Sequence, residues 1–236
     1  IDDPDRAVIS YDPPGKDYAI VRSYRAGRVL ELPDGSLLAI GIGLRLGSDR
    51  KQLPKWRTDC LRSTDDGRTW KFRAVVAGDD DNRTANGYSE PGVTVLSDGS
   101  ILVALRTERG AEASQTTGVL FLTRSCDNGQ TWSEPRAVNP FGVFPRLLTL
   151  ENGVTVLSFG RPGVNLLFNA DGQGHHWESL MLLINEGQRF TRTSGYTSLI
   201  PTGPDRFLMA YDQFDYPNAQ GEPRKTILVR EIVIHD

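Results

Sequence analysis

The chain has little of what metal, redox and membrane chemistry need. Two cysteines in 236 residues make neither a disulfide framework nor a zinc pattern. Cys60 precedes a repeated motif and Cys126 lies inside the next copy, so they are not equivalent positions and read as free thiols. Of three histidines, His175 and His176 are adjacent and His235 sits at the tail; no metal and no other cofactor is expected. No apolar run approaches the ~20 residues of a membrane helix, so no membrane span is expected. No long stretch keeps a 3.6-residue period, which argues against crossover helices and a parallel α/β fold. A basic excess is also missing: a net charge of -3 argues against a nucleic-acid partner. An anionic ligand would therefore need a local arginine cluster.

What is present is repetition. Four segments share a layout of short apolar strand, tight turn and longer apolar strand, starting at Tyr24, Tyr88, Phe144 and Tyr196. Asp34-Gly35, Asp98-Gly99 and Asn152-Gly153 are strong hairpin signals, because both residue types tolerate positive φ. Pro204-Asp205 marks the fourth turn more weakly. The turns are spaced by 64, 54 and 53 residues, as in a repeat architecture with loops of variable length.

A second motif punctuates the repeats. Ser63–Trp70 reads STDDGRTW, Ser125–Trp132 reads SCDNGQTW, and Asn169–Trp177 reads NADGQGHHW, longer by one residue. Its aspartate can fold back onto turn amides, its glycine can take a conformation other residues resist, and its tryptophan supplies a large ring to bury. The motif is expected to pin a hairpin rather than to carry catalytic carboxylates. Each repeat then becomes a four-stranded antiparallel sheet, and the chain an all-β β-propeller of four countable blades. One domain over residues 1–236 is expected, with the strand around Ala7–Tyr11 completing the last blade.

These motifs, together with YSEPGVTVLSDGSILVALR from Tyr88, resemble the Asp-box (BNR-repeat) sialidases, or exo-neuraminidases. The resemblance covers Tyr24 to Tyr216, and that family has six blades. It implies three arginines that clamp a substrate carboxylate: Arg25 in SYRAGRVLELPDG, Arg106, and Arg161 in GRPGVNLLFNADG. After Arg25, Ala26-Gly27 stand where the family has Ile-Pro. It further implies Tyr196 as nucleophile, Glu90 as its partner and Asp49 as acid/base, with Asp59 as a competitor for that role. A secreted or periplasmic location accompanies the resemblance.

The repeat offsets point the same way. Counted from the turn Asp or Asn, Arg25 and Tyr196 lie nine residues before it and Glu90 eight, while Arg106 lies eight after and Arg161 nine. All five sit at the end of a hairpin opposite its turn, and in a ring of blades those ends converge.

The implied activity is that of a retaining exo-α-sialidase acting on sialylated or other acidic glycans. Guanidinium groups bind carboxylates through paired, charge-assisted hydrogen bonds. A neutral tyrosine avoids the repulsion a carboxylate nucleophile would meet, and sialidases are a known tyrosine exception among glycosidases. Free phenols ionise only near pH ~10, so a glutamate base is needed. Two rivals stand beside this reading: a hydrolase or lyase for another acidic glycan, and a non-catalytic glycan-binding or scaffold propeller.

Overall fold

The computed structural model describes residues 8–10, 29–46, 52–78, 84, 86–107, 118–185 and 191–235. Arg25 and Asp49 lie outside them. All regular structure among the described residues is β, in four sheets. The first holds β1 (Val8–Ser10), β2 (Leu30–Glu31), β3 (Leu37–Leu46), β4 (Gln52–Ser63) and β5 (Thr69–Ala77), in spatial order β1-β5-β4-β3-β2. The second runs β6 (Ser89–Val95), β7 (Ile101–Arg106), β8 (Leu120–Ser125), β9 (Arg136–Asn139). The third runs β10 (Val143–Thr149), β11 (Thr155–Gly160), β12 (Val164–Asn169), β13 (Glu178–Ile184). The last has three strands, β14 (Thr197–Gly203), β15 (Arg206–Pro217) and β16 (Pro223–Val233). Each is an antiparallel meander, apart from the parallel β1–β5 pair, and together they form the expected β-propeller. No helix among the described residues is long and apolar enough to cross a membrane.

Strand alternation explains the stacking. A strand points successive side chains to opposite faces, and every residue of β7 is buried. Its Ile101, Val103 and Leu105 enter the core shared with the first sheet, beside Leu38, Ile40 and Cys60. Its Leu102 and Ala104 enter the core shared with the third, beside Leu157 and Phe159. In β11, Val156 instead faces the last sheet, against Phe207, Met209 and Tyr211. Each fully buried side chain of Leu or Phe size contributes about 1.5–3 kcal/mol, so the three cores hold consecutive sheets face to face. The outer face of the last sheet is different: Ile200, Ile227 and Val229 are exposed there.

The N-terminal strand departs from expectation. Val8–Ser10 does not complete the last sheet; it lies parallel to Thr69–Lys71 on the outer edge of the first. The free edge of β5 offers a row of unpaired backbone groups, and three residues of extended chain are enough to use it. The hairpin turns also refine the expectation. Of each turn pair only the glycine, Gly35, Gly99 or Gly153, takes positive φ, and the residue before it serves as a side-chain acceptor: Asp34 Oδ1 takes the Ser36 amide at 3.0 Å, Asp98 Oδ1 the Ser100 amide at 3.0 Å and Asn152 Oδ1 the Val154 amide at 3.1 Å. Leu32 and Leu96 accept from the glycine amides and donate to Ser36 and Ser100, the pattern of a type I turn closed by a left-handed glycine.

The repeated Ser-x-Asp motif is a pinned hairpin. Asp65 Oδ1 accepts from the Thr69 amide at 2.8 Å and Oδ2 from its hydroxyl at 2.5 Å. Asp127 repeats this with Thr131 at 2.9 and 2.6 Å. These bonds, led by the threonine hydroxyls, hold both carboxyls at a pKa of about 2, well below the ordinary 3.8. The arginine before each serine closes a further bond within its sheet: Arg62 pairs with Asp34 and Arg124 with Asp98. Neighbouring sheets are tied at this same end, where Arg73 donates to the Asn128 carbonyl at 2.9 Å and Arg136 to the carbonyls of Gly174 and His175.

Candidate functional site

At the opposite end, β6 and β10 carry the same irregularity. In β6 the pairing with β7 jumps between Ser89 and Gly92, and in β10 the pairing with β11 jumps between Val143 and Arg146. Two residues therefore face one on the partner strand in each case: Glu90-Pro91 and Phe144-Pro145. That is a β-bulge, which bends a strand and re-aims a side chain. Glu90 and Phe144 both sit at positive φ, 49° and 50°, and Arg161 at 51°. Such conformations cost a non-glycine residue on the order of 1–3 kcal/mol and cluster at functional sites.

The bulges bring together residues far apart in sequence. Arg106 Nη1 donates to Glu90 Oε1 at 2.9 Å, and the Phe144 amide donates to Glu90 Oε2 at 2.7 Å. Phe144 stacks on Tyr196 with ring centroids 4.3 Å apart and planes 26° from parallel. Arg146 lays its guanidinium on the other aromatic partner, 3.6 Å from the Phe144 centroid, and Arg161 stands 5.6 Å from the Tyr196 centroid. Each of the two stacked rings thus has a guanidinium within cation–π range, an arrangement favoured by the quadrupole of an aromatic face.

Tyr196 is presented by a braced loop. Asp212 Oδ1 accepts from the Thr193 hydroxyl at 2.6 Å and the Ser194 amide at 2.9 Å. Arg161 Nε donates to the Ser194 carbonyl at 2.9 Å. Backbone meets backbone here: a Cβ added to Gly160 would lie 2.1 Å from the Gly195 carbonyl oxygen. A Cβ at Gly92 would lie 2.4 Å from the Pro145 carbonyl oxygen, so glycine is required for both approaches.

The result is a cleft of ≈ 390 Å³, in which Glu90, Phe144, Arg146 and Tyr196 meet Trp56 and Ile42 of the first sheet. Its volume lies within the range of small-molecule sites. A larger groove of ≈ 620 Å³ lies at the Asp-box end between the second and third sheets, lined by Arg124, Arg136, His175 and His176. Its arginines already serve Asp98 and the carbonyls of the third motif, so it reads as a structural joint.

Of the expected residues, Glu90 and Tyr196 share the cleft, and Arg161 flanks Tyr196. Arg106 stands behind Glu90, only 8% exposed, and its guanidinium binds that carboxylate. Asp59 pairs with Arg57 at 2.7 Å, both buried. It opposes Gly41 across β3 while Thr58 opposes Ile42, so alternation puts it on the face away from the cleft. Trp56, Phe144 and Arg146 were not expected. The signal for Phe144 was available: Phe144-Pro145 stands eight residues before Asn152, as Glu90-Pro91 stands eight before Asp98. Among the described residues no group of three or more histidine, cysteine, aspartate or glutamate side chains is arranged to hold a metal.

Comparison with known proteins agrees with this architecture. A family model described as a BNR repeat-like domain matches residues 25–225. A protein of unknown function from Dyadobacter fermentans is 22% identical, with a TM-score of 0.69 over 90% of this chain and 54% of its own. The Hadza microbial sialidase Hz136 is 20% identical, with a TM-score of 0.58 over 87% of this chain and 43% of its own. The GH93 α-L-arabinofuranosidase of Fusarium graminearum, solved with arabinobiose, is 17% identical, with a TM-score of 0.66 over 92% of this chain and 64% of its own. The chain thus spans between 43% and 64% of the length of these structures. Among curated protein sequences none matches.

Proposed function

The chain belongs to the BNR repeat-like family, and from that premise we propose that it is a glycoside hydrolase cleaving a terminal acidic sugar, sialic acid in the first instance. The observation that carries this is the exposure of Tyr196, 39% accessible, in one cleft with Glu90 and Arg146 and beside Arg161. Tyr196 Oη would attack the anomeric carbon as the bond to the leaving oxygen breaks. Glu90 would take the phenolic proton, its carboxylate oriented by Arg106 and the Phe144 amide. Asp49 would give its proton to the leaving oxygen and recover one from the water that releases the sugar, while Glu90 returns its proton to the departing phenol. Arg25 and Arg161 would hold the substrate carboxylate. With Asp59 paired to Arg57 on the opposite face, Asp49 is the better candidate for the acid/base role.

One observation favours a second reading. Arg106, expected to bind the carboxylate, is engaged by Glu90, and a neutral furanoside would not need it. A fluorogenic aryl α-sialoside and an aryl α-L-arabinofuranoside, assayed side by side with wild type and Tyr196→Phe, separate the two. Sialoside turnover that disappears in Tyr196→Phe is expected. Turnover of the arabinofuranoside alone favours the second reading, and turnover of neither removes both.

A further inference from the structure

The last sheet is one strand short. The second and third sheets end in a fourth strand, β9 or β13, laid antiparallel on the third, whereas the last stops at β16. The three-residue β1 has joined the first sheet instead. Among the described residues no strand pairs with the outer edge of β16, which runs for 11 residues. That edge faces outward. Neighbouring sheets meet through their first strands, as Thr94 of β6 meets Thr149 of β10 at 3.1 Å, so a third strand lies toward the rim. On its outer face Ile227 and Val229 are 71% and 59% exposed.

An open edge normally carries charges or proline that deter pairing with another chain. In β16 these residues stand in a self-complementary order. Turned antiparallel about Leu228, its middle residue, the strand overlaps a second copy over its whole length, Pro223 against Val233. In that register Ile227 faces Val229 and Lys225 faces Glu231, each pair occurring twice on one face of the sheet. Leu228, which packs on the core shared with the third sheet, meets its own copy on the other face. Moving the centre by one residue sets Lys225 opposite Val229 or Val233 and loses both ion pairs. Residues directly opposite have Cβ atoms about 4.5–5.5 Å apart, where unlike charges attract and like charges repel. The charges that deter a slipped pairing therefore close this one. Lys225 already leans on the sheet, with its ammonium 4.9 Å from the Phe214 centroid.

We propose that two copies of this chain join through β16, antiparallel about a two-fold axis at Leu228, each supplying the fourth strand the other lacks. Such an interface is isologous: main-chain hydrogen bonds give it affinity, and the cross-strand pairs give it register.

Analytical ultracentrifugation of the chain, of Lys225→Glu, of Glu231→Lys and of the two variants mixed tests this, with circular dichroism confirming each fold. Wild type should dimerise with a roughly micromolar Kd. Each single reversal sets like charges against each other at both ends of the ladder and should raise Kd by about 10-fold or more. Mixed, the two variants should form a heterodimer about as tight as wild type, because each then meets unlike charge at both ends. A wild type that stays monomeric at about 100 μM overturns the proposal, whichever strand then covers the edge. So does a dimer that both reversals leave intact, or a mixture no tighter than its components. If a reversal fails to fold, Val229→Lys replaces it: a charge set against Ile227 should weaken the dimer as much, and an unchanged Kd overturns the proposal.

Discussion

The two ends of the sheets are built on opposite terms. At the Asp-box end the motifs satisfy themselves: Asp65 and Asp127 accept hydrogen bonds from residues within four positions, and arginines join the second and third motifs to the preceding sheet. At the bulge end Glu90, Phe144 and Arg161 hold left-handed conformations, and a tyrosine is left exposed. One end stabilises the stack; the other stores strain around a cleft. In the second and third sheets one four-stranded unit supplies both, the bulge in its first strand and the motif after its third, which is how a repeat can diverge in chemistry without losing its scaffold.

This contrast can be broken by substitution. The largest effect is expected from Tyr196→Phe, which should remove detectable turnover while thermal unfolding moves by less than about 1 °C, because only an exposed hydroxyl is deleted. If the melting temperature falls with activity, the division between the ends is wrong. Asp127→Ala should do the converse. Losing several local hydrogen bonds should lower the melting temperature by roughly 3–8 °C and leave the affinity for N-acetylneuraminic acid unchanged in calorimetry.

Acid should act on the Asp-box end. Asp65 and Asp127 titrate at about 2 in the folded chain against an ordinary 3.8, so the unfolded chain binds more protons between those values. Their contribution is therefore complete above about pH 4 and is lost as pH falls through 2. Melting temperature followed from pH 5 to 2 should drop, and the double variant Asp65→Asn/Asp127→Asn should flatten that drop. A parallel curve for the double variant would refute the assignment.

The smallest expected effect compares tryptophans. Trp70 Nε1 donates to the Gly67 carbonyl at 2.9 Å and Trp177 Nε1 to the Gly174 carbonyl at 3.1 Å, whereas the buried Trp132 Nε1 has no partner. Trp70→Phe should cost about 1 kcal/mol more than Trp132→Phe in denaturant unfolding, since an unsatisfied buried donor gives up nothing when deleted.

How much was legible beforehand follows the same division. The Asp-box end could be read because its interactions are local: Asp98-Gly99 and Ser125–Trp132 contain their own partners. The shared offsets of Glu90 and Tyr196 placed them at one end of their hairpins. Phe144 escaped although it shares the offset of Glu90, because an apolar ring at a strand end reads as packing, and Arg146 escaped because a bulge shifts the alternation by one residue. Arg106 was placed at the correct strand end, but a strand position does not reveal which carboxylate a guanidinium will meet. The segment around Val8–Ser10 is too short and apolar to specify an edge, and it joined β5 instead of the last sheet.

The glycine contact between Gly160 and Gly195 bears on how such a cleft could evolve. Because main chain rests on main chain there, the gap between Arg161 and Tyr196 is gauged by atoms common to every amino acid. Drift in the apolar interior can reshuffle leucines and valines without resetting that gap. New ligands are then reached by changing the side chains that project from the bulges, with the frame beneath them left alone.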